Sequence, residues 1–193
     1  MRAVADKKRA TLDELRRLAD EGHRVELIDG EIVYKMGAKM PHGITQVHLG
    51  SVLHPFNRKP GGSGGPGGWW IVSEVSILYA KTEEVYQHDL SGFRREHMPD
   101  PPKDWPVRVR PDWACEILSR STARYDVVKK QRTMYLHGVP HYWIVDPEHE
   151  TLTVLRHGPE AYLQILTAAV GDVVRAEPFG EIEISVAELF GKE

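Results

Sequence analysis

The chain has 193 residues, 41% of them hydrophobic and 27% charged, which suits one compact soluble domain with a real core. No apolar run reaches membrane-spanning length and no basic-then-apolar leader opens the chain, so a cytosolic protein without membrane partners is expected. The single cysteine, Cys115, excludes an internal disulfide and reads as a small core residue. A net charge of −3 argues against a dedicated nucleic-acid binder, but the charge is unevenly spread. Residues 1–85 carry 12 Lys/Arg against 11 Asp/Glu, residues 86–140 carry 10 against 7, and residues 141–193 carry 3 against 10. Arg120, Arg124, Lys129, Lys130 and Arg132 form a basic cluster on which a polyanion could dock, or a solvated helix face.

The segment TLDELRRLADEG predicts a first helix, with Thr11 as N-cap, Glu14 completing a capping box and Gly22 past the end. RVELIDGEIVYKM alternates around Asp29-Gly30, a strong hairpin signal. A second helix is expected over His42–Phe56, weakened by Gly43 and Gly50. NRKPGGSGGPGG, residues 57–68, reads as a flexible loop inside one domain spanning 1–193. It is no P-loop, since no Lys-Ser/Thr follows and the next segment, WWIVSEVSILY, reads as a strand. VYQHDLSGFRRE then predicts a strand and turn, and PDWACEILS another strand. A helix from Ser121 or Thr122 to Gly138, a buried strand PHYWIVDP, antiparallel strands TLTVLR and AYLQILTA, and a short helix SVAELFG complete the chain. The order implies a mixed α/β fold with one crossover helix and a β-rich end.

Three carboxylates, Asp112, Glu116 and Asp126, surround the apolar run of PDWACEILSRSTARYDVVKK. Asp112 and Glu116 share a strand face but lie about 13 Å apart at roughly 3.3 Å per residue, too far to share one Mg²⁺. Asp112 therefore reads as a strand-entry residue. Glu116 sits mid-strand, where a lone charge is costly, and needs Arg, Lys or a metal beside it. If the following helix folds back over the sheet, Lys130 lies about 10 Å along it, level with Glu116, which is about 10 Å from its own strand end. Val127 and Met134 flank Lys130 on an inward stripe, and Lys129 turns about 100° away. A plain Glu116–Lys130 salt bridge fits this pattern as well, and so does an Asp126–Lys130 pair. Asp89, on a segment able to pair beside the Glu116 strand, supplies a second carboxylate. Two acids that hold Mg²⁺ and an ammonium that orients water form a phosphodiesterase constellation.

The ordered pieces VELIDGEIV, PHGITQVHLGSVLHPF, WWIVSEVSIL, HDLSGFRRE, PDWACEILSRST, Asp126-x3-Lys130 and GVPHYWIVDPE resemble the putative restriction endonuclease family of small bacterial proteins, within the PD-(D/E)xK nuclease superfamily. The resemblance implies a restriction-endonuclease-like core, a central mixed sheet flanked by helices. It also implies DNA as substrate and Mg²⁺, or Mn²⁺, as cofactor. Asp89 matches the first acid, Glu116 the second and Lys130 the lysine, moved onto the following helix because Leu118 occupies the usual strand position. Glu31 and His42 match positions typical of the family. This chain has His88 where the family commonly has proline, and Arg120 where it has a second one.

The rival reading is a catalytically inactive protein of the same fold that binds nucleic acid or a protein partner. A zinc enzyme is disfavoured: His42, His48 and His54 are six apart and scatter around a helix, and no HExxH or cysteine pair occurs. Ser119 lacks the G-x-S-x-G elbow of a hydrolase nucleophile. A homodimer would suit two-strand cutting.

Overall fold

The computed structural model describes residues 9–61, 64–119 and 123–192, with the backbone alone for 123–126. The expected Ser121 or Thr122 cap and Arg120 fall outside the described residues, as do the side chains of Arg124 and Asp126.

The Thr11 hydroxyl accepts from the Glu14 amide at 3.2 Å and starts α1 (Leu12–Asp20). Asp29 and Gly30 take φ of 53° and 75°, the left-handed pair that a two-residue hairpin turn requires. They fold β1 (Val25–Ile28) against β2 (Glu31–Tyr34). Next comes α2 (Met40–Val52), earlier at its start than expected because Pro41 sits at the first turn, where a missing N–H costs nothing. Leu49, Leu53 and Phe56 point into the main core. The glycine-rich stretch is pinned at its near end: the Asn57 amide brackets the Ile71 backbone with two bonds of 3.1 Å.

WWIVSEVSILY is not one strand but two, β3 (Trp69–Ser73) and β4 (Ser76–Tyr79). The segment from Val85 divides likewise into β5 (Glu84–Gln87) and β6 (Leu90–Arg94). Glu74 takes φ 54°, and its amide donates to the His88 carbonyl at 3.1 Å, so both chains break at one level. β4 and β5 enter a four-stranded antiparallel sheet, β2-β1-β5-β4. β3 and β6 enter a second, six-stranded sheet.

That larger sheet is completed by β7 (Trp113–Ile117), β8 (His141–Asp146), β9 (Thr151–His157) and β10 (Tyr162–Ala169), in the order β10-β9-β8-β7-β6-β3. Among these described strands only β7 and β8 run parallel, joined by the crossover helix α3 (Ala123–Leu136). A small ribbon, β11 (Val173–Val174) and β12 (Ile184–Ser185), and α4 (Val186–Leu189) close the described chain. Among the described residues no helix is long and apolar enough to cross a membrane.

The alternation of β7 decides which side chains reach the site. Trp113, Cys115 and Ile117 join Trp143 and Phe179 in one core cluster, while Ala114 faces Tyr142 on the other side. Asp112 is buried at the strand's far end, where it accepts from the Arg94 amide and from His97 Nδ1, both at 2.8 Å. Asp112→Asn is therefore expected to lower the melting temperature by a few degrees, at about 1–3 kcal/mol for a disturbed buried acceptor, and to leave unchanged any activity that depends on the Glu116 end of the strand. Thermal unfolding run beside an activity assay reads both effects.

Candidate active site

The break between β5 and β6 places His88 and Asp89 outside either ladder. In a regular strand these neighbours would point to opposite faces; here both side chains reach β7. The β6–β7 register ends at Leu90 opposite Cys115, so Asp89 arrives beside Glu116. Asp89 Oδ2 accepts from the Ile117 amide at 2.7 Å, and Gln46 of α2 donates to the Asp89 carbonyl at 2.9 Å. The Lys35 ammonium and an imidazole nitrogen approach the other oxygen: Lys35 Nζ at 3.5 Å and His42 Nε2 at 3.4 Å. The hydrogen bond to Asp89 raises the His42 pKa above its ordinary value, against the opposing effect of burial.

Lys130 reaches the same place from α3 and is only 4% exposed. Its ammonium donates to Glu116 Oε1 at 3.1 Å and to Glu26 Oε1 at 2.8 Å. Burial alone would raise the Glu116 pKa, but Lys130 and His88 outweigh it and hold the carboxyl below the usual carboxylate range. Burial would likewise lower the Lys130 pKa, and Glu116 and Glu26 reverse this. The expected inward lysine is thus in place, while Lys129 turns to Asp29, 3.6 Å away.

Glu26 is the residue that sequence reading passed over. It also accepts from the Gln87 amide at 2.7 Å, which ties β1 to β5 beneath the lysine. All four residues of β1 are buried, so an acid between Val25 and Leu27 carries the same signal that singled out Glu116. Glu31, by contrast, lies next to the Asp29-Gly30 turn, opposite Ile28, and is exposed outside the cavity lining. The hairpin register sets Glu26 opposite Val33, on the face that Glu31 shares nearer the turn, and Glu26 is the one that lines the cavity. His42 does line the cavity, whereas His54 is exposed away from it.

These groups floor a cavity of about 380 Å³, lined at its base by Glu26, Asp89, Glu116 and Lys130 and at its lip by Tyr34 and Lys39. Among the described residues no three His, Cys, Asp or Glu side chains converge as a ready-made metal cage. A divalent ion would instead rest on Asp89 and Glu116 and keep its own waters, as Mg²⁺ commonly does. The donor set fits that demand. Both groups offer hard oxygens, and each carboxylate has lone pairs beyond the hydrogen bonds it already accepts. Three buried carboxylates against the two ammoniums of Lys35 and Lys130 also leave one negative charge when the imidazoles are neutral.

The Uma2 family model, described as "Putative restriction endonuclease", matches residues 12–187. The chain belongs to the Uma2 family. Its fold matches the crystal structure of a putative nuclease belonging to DUF820 from Anabaena variabilis ATCC 29413 with a TM-score of 0.69 and 23% sequence identity. The match covers 94% of the Uma2 chain and 97% of that one, and at this identity it shows the shared fold alone. Comparison with curated proteins gives no match. Uma2 membership places the chain in a family described as putative restriction endonucleases, and the structural match shows the fold it shares.

Proposed function

We propose that the protein is a metal-dependent DNA endonuclease that hydrolyses phosphodiester bonds at the Asp89–Glu116–Lys130 cavity. One observation carries this reading: an acid from the break just before β6, an acid from β7 and a buried lysine from the following helix meet in one cavity. Asp89 and Glu116 would hold Mg²⁺ or Mn²⁺. Such an ion supplies charge neutralisation at the phosphate and a more acidic bound water. Lys130 has three N–H donors; two go to Glu26 and Glu116, and the third orients a water in the cavity. Its charge, fixed by two carboxylates, then faces negative charge developing on the phosphate without reorganising.

The approach to the cavity suits a polyanion. No Asp or Glu lies between Glu31 and Glu74, while Lys35, Lys39, Arg58 and Lys59 do. This run supplies Tyr34, Lys35, Lys39 and His42 to the cavity lining, and Glu74, an acid on the same lining, is paired with Arg24. Tyr34, 55% exposed on the lip, offers a ring to a base.

The test is cleavage of supercoiled and linear DNA with Mg²⁺ or Mn²⁺, stopped by a chelator. Lys39→Glu is expected to weaken DNA binding several-fold and to reduce the slope of log affinity against log salt by about one. Salt-dependent DNA binding without cleavage under any divalent ion would select the inactive binding module instead.

A further inference from the structure

His88 is absent from the chemistry above, yet its side chain is 0% exposed and stands directly behind Glu116. Its Nδ1 lies 2.6 Å from Glu116 Oε1 and its Nε2 lies 2.7 Å from the Tyr79 hydroxyl. We propose that His88 and Tyr79 are a positioning pair that fixes the rotamer of Glu116 for cation binding. The inference rests on Glu116 being a metal-holding carboxylate; the bonding within the pair does not.

An ionised carboxylate can only accept, so Nδ1 must carry the hydrogen. Glu116 Oε1 also receives the Lys130 ammonium at 3.1 Å, so the oxygen that faces Nδ1 is an acceptor. In the Nδ1–H tautomer Nε2 is a bare acceptor, and the Tyr79 hydroxyl donates to it. Burial holds the Tyr79 phenol well above its usual pKa, so it keeps that proton. Tyr79 is itself clamped: its ring meets Tyr86 and His137, each at 5.1 Å between centroids.

The result is a phenol–imidazole–carboxylate chain that ends on the site. Glu116 Oε1 is gripped from two sides, by Nδ1–H at 2.6 Å and by the Lys130 ammonium at 3.1 Å. The two donors differ in one respect that matters for a cation. Lys130 subtracts a charge from the carboxylate's field, whereas a neutral imidazole holds the oxygen still without cancelling any charge. Orienting partners of this kind change metal affinity by about 10–100-fold when removed.

The experiment has a metal-free arm and a metal arm. Long-range ¹⁵N–¹H correlation on the metal-free protein should show His88 as the Nδ1–H tautomer, with the Nε2 resonance displaced in Tyr79→Phe. An Nε2–H ring, or an Nε2 resonance indifferent to Tyr79→Phe, overturns the pair even if the enzyme cleaves DNA. Titration calorimetry with Mn²⁺ should show binding weakened at least tenfold in His88→Ala and recovered to within about threefold of the parent in His88→Asn, whose amide can donate near the Nδ1 position. Folded His88→Ala that binds Mn²⁺ as the parent does rejects the positioning role. If His88→Ala does not fold, Tyr79→Phe carries the same titration, with a weakening of severalfold expected and none overturning the role. A parent that binds no Mn²⁺ at all counts against the nuclease reading and against cation positioning together, while the tautomer still reports the bonding of the pair.

Discussion

Lys130→Met should lose DNA cleavage by at least about a hundredfold and lower stability by roughly 3–5 kcal/mol. Both effects follow from one ammonium. Its removal takes from the cavity the ammonium proposed to orient water and leaves Glu26 and Glu116 as buried acids without their shared cation. For a chain of this size the stability loss corresponds to a fall of roughly ten degrees in melting temperature. Glu116 has a depressed folded pKa, so its contribution is present above the unfolded value of about 4.3 and fades as pH falls through the folded one. Lys130 has a raised folded pKa, so its contribution is complete below about 10.4 and fades as pH rises through the folded value. The stability gap between parent and Lys130→Met should therefore be widest between about pH 4.3 and 10.4 and close towards the acid side. Adding Glu26→Gln to Lys130→Met removes one stray charge while keeping an oxygen for the Gln87 amide. The double variant should regain part of the stability and none of the cleavage. Cleavage that returns with stability would reduce the lysine to a structural ion pair.

The sequence makes legible those features that arise from local chemistry or strand alternation. The Thr11 cap, the Asp29-Gly30 turn and the parity of β7 each depend on a few adjacent residues, and each is found as expected. Lys130 was reachable because two element lengths, one at about 3.3 Å and the other at about 1.5 Å per residue, had to match across one crossover. What stayed hidden depends on contacts between distant segments. The division of WWIVSEVSILY and of the Asp89 strand into two sheets follows from a cross-strand bond, Glu74 to His88, that no periodicity encodes. That division lets consecutive residues, His88 and Asp89, both reach β7. Glu26 lies 104 positions from the lysine it holds, and only a fully buried β1 separates it from an ordinary exposed strand acid. Glu31 drew attention through resemblance, and the hairpin leaves it at the turn end of the face it shares with Glu26, off the cavity lining.

Asp89→Asn and Glu116→Gln are the sharpest pair of substitutions for the metal itself, because both keep shape and an accepting oxygen. In Asp89→Asn the side-chain carbonyl can still receive the Ile117 amide, and in Glu116→Gln it can still receive His88 and Lys130. What each loses is a negative charge and a carboxylate lone pair, the two things a hard divalent ion requires. Cleavage should fall by about 10²–10³-fold in either variant, the several kcal/mol that a bound ion supplies to the transition state. Melting temperatures should stay within a few degrees of the parent, and calorimetric Mn²⁺ binding should weaken with the activity. The alanine versions should unfold earlier, since Asp89→Ala abandons a buried amide and Glu116→Ala leaves two donors facing nothing. Asp112→Asn supplies the contrast, a buried acid on the same strand face but at the far end. If the two amide variants cleave like the parent while remaining folded, the ion does not sit on these carboxylates, and Asp89 and Glu116 serve only to bind strand to strand.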